Sequence, residues 1–301
     1  MRGSMEDAAF AALRWTRLRG SVRNLHAAGA REHPLWILHS LLMFCVPEAA
    51  KNGQSRFLFR PLAEPGDVIE RDRLYPFAVF FPGDDLALAR ACAAGLERHL
   101  SDKRHHFALV ELESPQVRSL ADLEDAASRW PERATEVCLE FETPFAYTPA
   151  DGRRPWWLAA SDLGRLLAHR FQHFFVCPAP PPRADWATLT TLCHFWRFVE
   201  HRHRAKSGRG TKTIAGNVGP LFLRGTAQAL ASVRQWLLLG TEIGAGLKLG
   251  PRGHYRLRFD RPWFDPIFCD PATYTRALDD LKGRSGVFIR PAKEATAAQS
   301  A

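Results

Sequence analysis

Stretches of strand-like alternation and helix-like periodicity follow one another along this chain in a fixed order, and that order then begins again. The repeat constrains the fold more than any other feature. Residues 8 to 23 mix apolar and basic positions, and the alternation of Leu13, Trp15 and Arg17 fits an opening strand, with a helix as the alternative. The stretch from Asn24 to His33, with Gly29 inside it, breaks the pattern and reads as a loop. Pro34 to Cys45 is an apolar helix with proline favourably placed in its first turn. Strands are expected at Ser55 to Arg60 and Tyr75 to Phe81. A helix follows from Asp84 to Ser101, with Leu86, Ala89, Ala93, Leu96 and Leu100 on one face and Asp84 or Asp85 as its cap. His106 to Leu112 closes the unit as a strand.

Glu113 to Glu136 is polar, contains one short helix and reads as a connector. The second pass opens at Val137 to Pro144, which alternates like a strand and is expected to stop at the proline. A helix spans Ala160 to Phe175 and ends before the proline run Pro178 to Pro182. The aromatic-rich segment Asp185 to Glu200 is expected to be helical. A strand at Asn217 to Leu223, a helix at Ala227 to Leu239 and a strand at His254 to Phe259 complete the pass. Strand, helix, strand, strand, helix, strand is the split βαβ order. The expected class is therefore α+β, two tandem ferredoxin-like (RRM-like) βαββαβ domains, at 5–113 and 137–262, followed by an irregular extension at 263–301. Within that extension Pro271 to Gly283 is helix-like. Residues 292 to 301 are small and polar, and disorder is expected there.

The 46% hydrophobic content of the 301 residues supports a packed core, and no apolar run reaches the ~18 to 20 residues that span a bilayer. Met1 to Ser4 read as a vector leader ahead of a start at Met5. Cys45, Cys92, Cys138, Cys177, Cys193 and Cys269 are dispersed and read as reduced thiols of a cytoplasmic protein. The net charge of +9 is unevenly spread. From His201 to Pro262 there are twelve cations and two anions, so the other 239 residues sum to −1. A single-sign stretch of this kind suits a polyanionic partner, phosphate backbone first. A solvated basic face is the plainer alternative. Arg14, Arg17, Arg19, Arg23 and Arg31 make a second, smaller excess.

Gly240, Gly244, Gly246, Gly250 and Gly253 fall between a helix and a strand with Lys248 and Arg252 among them. Glycines let backbone amides approach a ligand closely, so a phosphate-bearing ligand fits. No Gly-Lys-Ser/Thr ends the run, which sets it apart from a nucleotide-hydrolysing P-loop. His169, His173 and Cys177 have a spacing that could gather a metal, but histidines set among Phe171, Phe174 and Phe175 more often pack, and the metal reading is set aside. Trp156, Trp157, Trp186, Phe195 and Trp196 are candidates to stack on bases, although most such residues fill cores.

The stretch from Val137 to Tyr255 resembles the C-terminal half of the CRISPR-associated precursor-crRNA-processing endoribonucleases of the RAMP superfamily, the Cas-six family. The residues that carry the resemblance are Phe141-Glu-Thr-Pro144, His169-Arg-Phe-Gln172, Trp196 with the basic His201 to Arg209, Gly216-Asn-Val-Gly219 with Gly225, and the glycine-rich run into Gly253-His-Tyr255-Arg-Leu. The resemblance implies two ferredoxin-like units that bind a CRISPR repeat RNA, usually a hairpin, and cut it without metal or other cofactor. The ribose 2′-hydroxyl attacks the adjacent phosphate, leaving a 2′,3′-cyclic phosphate and a 5′-hydroxyl.

That chemistry needs a base, a proton for the leaving oxygen, and cations for the charge developing on phosphate. The family places its histidine between the first strand and first helix or within that helix, where this chain has His26, His33 and His39. His39 lies in an apolar helix and reads as a core residue. His26, beside Arg23 and near Arg31, is the first choice for base and His33 the second, while Arg23 and Arg31 could themselves supply electrostatic catalysis. Arg17, Arg19, Arg202, Arg204, Lys206, Arg209, Lys212, Lys248 and Arg252 are the expected RNA contacts. The alternative is a non-cleaving family member that holds the crRNA hairpin as a subunit of a crRNA-guided effector complex.

Overall fold

The structure, a computed structural model, describes residues 10–25, 34–47, 56–63, 69–101, 106–126, 130–131, 133–146, 158–175, 186–194, 197–204, 211–246 and 252–259. The leader, most of the expected loop before Pro34, and the extension after residue 262 lie outside them.

The first sheet is built from β1 (Arg14–Asn24), β2 (Leu58–Pro61), β3 (Leu74–Pro82) and β4 (Phe107–Leu112) in the antiparallel order β2-β3-β1-β4. Helices α1 (Pro34–Cys45) and α2 (Leu86–Leu100) intervene. Asp85 caps α2, its side chain accepting from the Ala87 amide at 2.8 Å. The segment read as a connector is more than that, because β5 (Gln116–Ser119) folds back onto the same sheet before α3 (Leu120–Ala126). One edge of β1 is therefore shared, by β5 along Arg14–Arg17 and by β4 along Gly20–Asn24, while β3 covers the other edge from Trp15 to Arg23.

The second sheet repeats the order with β6 (Glu136–Phe145), β7 (Thr190–His194), β8 (Arg197–Arg204), β9 (Thr211–Arg224) and β10 (Tyr255–Arg258), arranged β10-β6-β9-β7 with β8 also on β9. Helices α4 (Ala160–Phe175) and α5 (Ala227–Ile243) cross between strands. Two sequence expectations are corrected here. Asp185 to Glu200 is not a helix but a single 3-10 turn at Trp186–Thr188 followed by β7 and the start of β8. Its Thr190, Thr191, Phe198 and Val199 are β-branched or aromatic residues that suit a pleated edge. Pro144 does not end β6 but lies inside it, where the pairing with β9 shifts register between Phe141 and Phe145 and an amide donor is not needed.

Alternate residues of β3 belong to different cores. Phe77, Val79 and Phe81 join α1 and α2 in one cluster, with Leu38, Leu42, Cys92 and Leu96. Ala78 and Phe80, with Trp15 and Leu58, join a second cluster that contains Leu139, Leu163, Leu167, Val233 and Leu237 from the second half of the chain. The first sheet is thus covered on both faces, which is why Tyr75 to Phe81 reads as an unbroken apolar run instead of alternating.

Candidate nucleic-acid interface

The glycine-rich segment begins inside a helix. Thr226 caps α5, its hydroxyl oxygen accepting from the Ala229 amide at 3.1 Å, and the helix runs through Gly240 to Ile243. Gly240 is small because Tyr255 lies across it. A Cβ there would sit 2.0 Å from the phenol oxygen, which donates to the Leu237 carbonyl at 2.9 Å. Gly244 then ends the helix at φ 75°, a left-handed conformation that glycine adopts without strain. The two described ends of the segment are tied together. The Ala245 amide donates to the Gly253 carbonyl at 2.8 Å, and the Gly253 amide to the Pro144 carbonyl at 3.1 Å.

Arg170 of α4 holds this neck from beneath. It is fully buried, its Nε donating to the Ile243 carbonyl at 2.8 Å and its Nη2 to the Arg252 carbonyl at 2.6 Å. Burial, and then the charge of Arg252, push its pKa down to about 9. Arg252 is itself lowered by burial, and its guanidinium donates to the Thr213 carbonyl on β9 at 2.8 Å. Gly246, at φ 115°, is the last described residue before Arg252. Lys248 and Gly250 lie outside it.

The two halves of the chain meet at Glu242, near the end of α5. Its carboxylate accepts from the Trp15 indole and, at 2.8 Å, from the Arg17 guanidinium, with both ionic side chains nearly buried. Arg60 on β2 reaches Glu142 and the Tyr255 carbonyl, each at 3.2 Å. His254 is buried with Nε2 2.9 Å from the Phe59 carbonyl, a contact in which that nitrogen carries the proton. Residues flanking the glycine-rich neck are therefore bonded to the first sheet.

The other expected contacts are distributed as follows. Arg19 is partly exposed, 4.0 Å from Glu113, and its pKa is lowered by burial and by Arg17. Arg23 is exposed near the end of β1. The backbones of Arg202, Arg204 and Lys212 lie in the β8–β9 ribbon, where Arg202 pairs with Thr213, His203 with Lys212 and Arg204 with Thr211. His26, Arg31, His33, Lys206 and Arg209 lie outside the described residues. Trp186 is core, pressed against Gly164. His39 packs beside Trp36 and Phe59 but is only half-buried, at the margin of the core and not inside it as its sequence reading had it. The His169 and His173 rings stand 4.8 Å apart, and Cys177 is outside the described residues. Burial and then His173 lower the pKa of His169.

Two residues that matter here were given no role from sequence, although Arg170 lies within the His169-Arg-Phe-Gln172 stretch. Arg170 carried a signal, since an arginine on the apolar stripe Leu163, Leu167, Phe171, Phe174 must be satisfied internally. Glu242 carried none beyond being a rare anion in a basic stretch. That stretch is also less basic in space than in sequence. Glu136 and Glu140, both on β6, reach Arg224 at 3.6 Å, Arg256 at 2.7 Å and Arg258 at 3.2 Å.

Fold and site together define an α+β protein of two tandem ferredoxin-like units, with a glycine-shaped neck and arginines where the units meet. The sequence matches no protein-family model and no curated protein. Among solved structures, a chain of a partial Cas6-RT-Cas1–Cas2 complex matches with a TM-score of 0.56 at 12% identity, over 91% of this chain and 54% of that one. A chain of the Cas6-RT-Cas1–Cas2 complex gives the same score and identity over 34% of its length. Thermus thermophilus Cas6 matches at 18% identity over 82% of this chain and 98% of that one, with a TM-score of 0.49. In fold the chain resembles the chains of these Cas6-RT-Cas1–Cas2 complexes. Among the described residues no helix is long and apolar enough to cross a membrane.

Proposed function

We propose that the chain is a CRISPR repeat-RNA endoribonuclease that processes precursor crRNA. The observation that carries this reading is the pair of ferredoxin-like units of Cas6 type in which a glycine-rich neck joins α5 to β10. The basic β8–β9 ribbon, held to the neck through Arg252 and Thr213, supports a phosphate-bearing ligand at the same place. In the proposed reaction His26 takes the proton of the ribose 2′-hydroxyl as its oxygen attacks phosphorus. The 5′-oxygen leaves with a proton, and Arg23 and Arg31 bear on the developing charge. His33 is the second choice for base. Arg17, Arg19, Arg202, Arg204, Lys206, Arg209, Lys212, Lys248 and Arg252 are the proposed RNA contacts, and the partner is a CRISPR repeat hairpin.

Incubating the protein with a hairpin repeat RNA in EDTA tests the proposal. Cleavage to a 2′,3′-cyclic phosphate and a 5′-hydroxyl product is expected. Tight binding with no product would favour a non-cleaving hairpin-binding subunit of a crRNA-guided effector complex. In the cleaving case, His26→Ala should abolish product while leaving affinity within about twofold, since a general base contributes roughly 10²–10⁴ to rate and little to ground-state binding. Full activity in that variant moves the role to His33 or the arginines.

A further inference from the structure

The return of the connector onto the first sheet places an arginine that the functional reading does not use. Strand β5 pairs with β1 so that Arg118 lies opposite Trp15 and Gln116 opposite Arg17. Arg17 and Arg19, two residues apart on β1, share a face of the sheet, and directly opposite residues of paired strands share a face as well. Three guanidinium groups are thereby gathered on one face of two short paired segments, and both Arg17 and Arg118 act on the charge of Arg19.

Three carboxylates lie near them, and among the described residues none makes a hydrogen bond to Arg19 or Arg118; Asp122, on whose charge Arg118 acts, is taken up by the Ser119 amide and hydroxyl. Glu242 is bound by the Trp15 indole and by Arg17, and Glu113 stands 4.0 Å from Arg19, too far for a hydrogen bond. Arg17 also reaches the Gln116 side-chain oxygen at 3.2 Å. The Nε atoms of Arg17, Arg19 and Arg118 are closed off from water and find no acceptor among the described residues. The Arg19 side chain is nonetheless 40% exposed, so its stem is covered while its tip faces solvent. Gathering like charges in a half-buried place is unfavourable for the protein alone. It becomes favourable when a ligand brings negative charge and several acceptor oxygens.

We propose that Arg19 and Arg118, backed by the Glu242-anchored Arg17, form a phosphodiester-binding site on the β1–β5 face of the first unit, beside its junction with the second. The site takes single-stranded RNA backbone and rests on the reading of the chain as an RNA-binding protein. It extends that reading to a strand that had no assigned role. Its contacts go to phosphate, so it reads no sequence.

The full chain would be titrated with two probes across a salt series, an oligouridylate of about 12 nucleotides, within the range single-strand sites cover, and a hairpin repeat RNA. Each single variant, Arg118→Gln or Arg19→Gln, is expected to lower oligouridylate affinity and to reduce the slope of log affinity against log salt by about 0.7, one phosphate contact in single-stranded RNA. The double variant should lose about 1.4. Arg19 is exposed enough for its variant to fold should Arg118→Gln fail to. Arg118→Lys, which keeps the charge, should restore the slope. Unchanged affinity and slope for both probes in the Arg19 and Arg118 variants would overturn the site. If hairpin RNA is neither cleaved nor preferred but oligouridylate binding still depends on Arg118, the repeat-RNA function falls and the phosphate site stands.

Discussion

Arg170 occupies a position on α4 where the helix otherwise presents leucine and phenylalanine. Removing a guanidinium from water costs several kcal/mol, and the carbonyls of Ile243 and Arg252 offset that cost. Arg170→Met matches the volume but leaves both carbonyls without this donor, and should lower unfolding free energy by about 2–4 kcal/mol in urea titration. Gly240 is limited by two neighbours, foremost the Tyr255 phenol and then Leu167, whose Cδ2 would lie 2.8 Å from a Cβ there. Gly240→Ala should destabilise the fold through the Tyr255 phenol, and adding Tyr255→Phe should recover part of the loss. A Cβ would remain 2.9 Å from Cζ, so recovery is incomplete. Equal loss in the single and double variants would mean the phenol is not the obstacle. At this scale the sequence was half legible. It marked the glycines and their charge, but the reason for Gly240 is a tyrosine fifteen positions away in another element.

Elements with strong local signals matched the reading closely. Helix α1 begins at the proline that opens it, and α4 spans the residues its periodicity indicated. The failures share a cause: Asp185 to Glu200 and Gln116 to Ser119 become strands because a partner edge is available, β9 for one and β1 for the other, and pairing is not written in local periodicity. Helix α3 is fixed locally by a reciprocal cap. Ser119 donates to Asp122 through its amide at 2.6 Å and its hydroxyl at 2.7 Å. The hydroxyl contact above all holds the Asp122 carboxyl below its ordinary pKa, against the effect of burial. A depressed carboxylate contributes stability above its unfolded pKa of about 3.9 and loses it as pH falls through the folded value. The stability difference between wild type and Asp122→Ala should therefore shrink as pH is lowered from 7 towards 3. For the neck, exchanging Lys248 and Arg252 for glutamate should weaken RNA binding and flatten its salt dependence. An unchanged slope removes this segment from the interface.

For the whole molecule, charge counted along the chain and charge in space differ. The excess between His201 and Pro262 is partly neutralised by β6 carboxylates that precede it in sequence. The arginine group on β1 and β5 emerges only from pairing. The two units are joined through Glu242, so Glu242→Gln should lower the unfolding midpoint of the chain, with a loss of up to about 3–5 kcal/mol for breaking a nearly buried ion pair. Two separated transitions in place of one would show the units uncoupled.

The contact from Trp15 to Glu242 spans 227 positions. At roughly 5–20 residues per second, a ribosome takes about 11–45 s to synthesise the chain between them. From the completion of β5 at Ser119 to the synthesis of Glu242, roughly 6–25 s of that interval, the outer face of the first sheet is finished except for its cover, and Trp15, Leu58 and Phe80 meet solvent. The nascent chain is thus open to chaperones through that window, and its N-terminal half made alone would be prone to self-association.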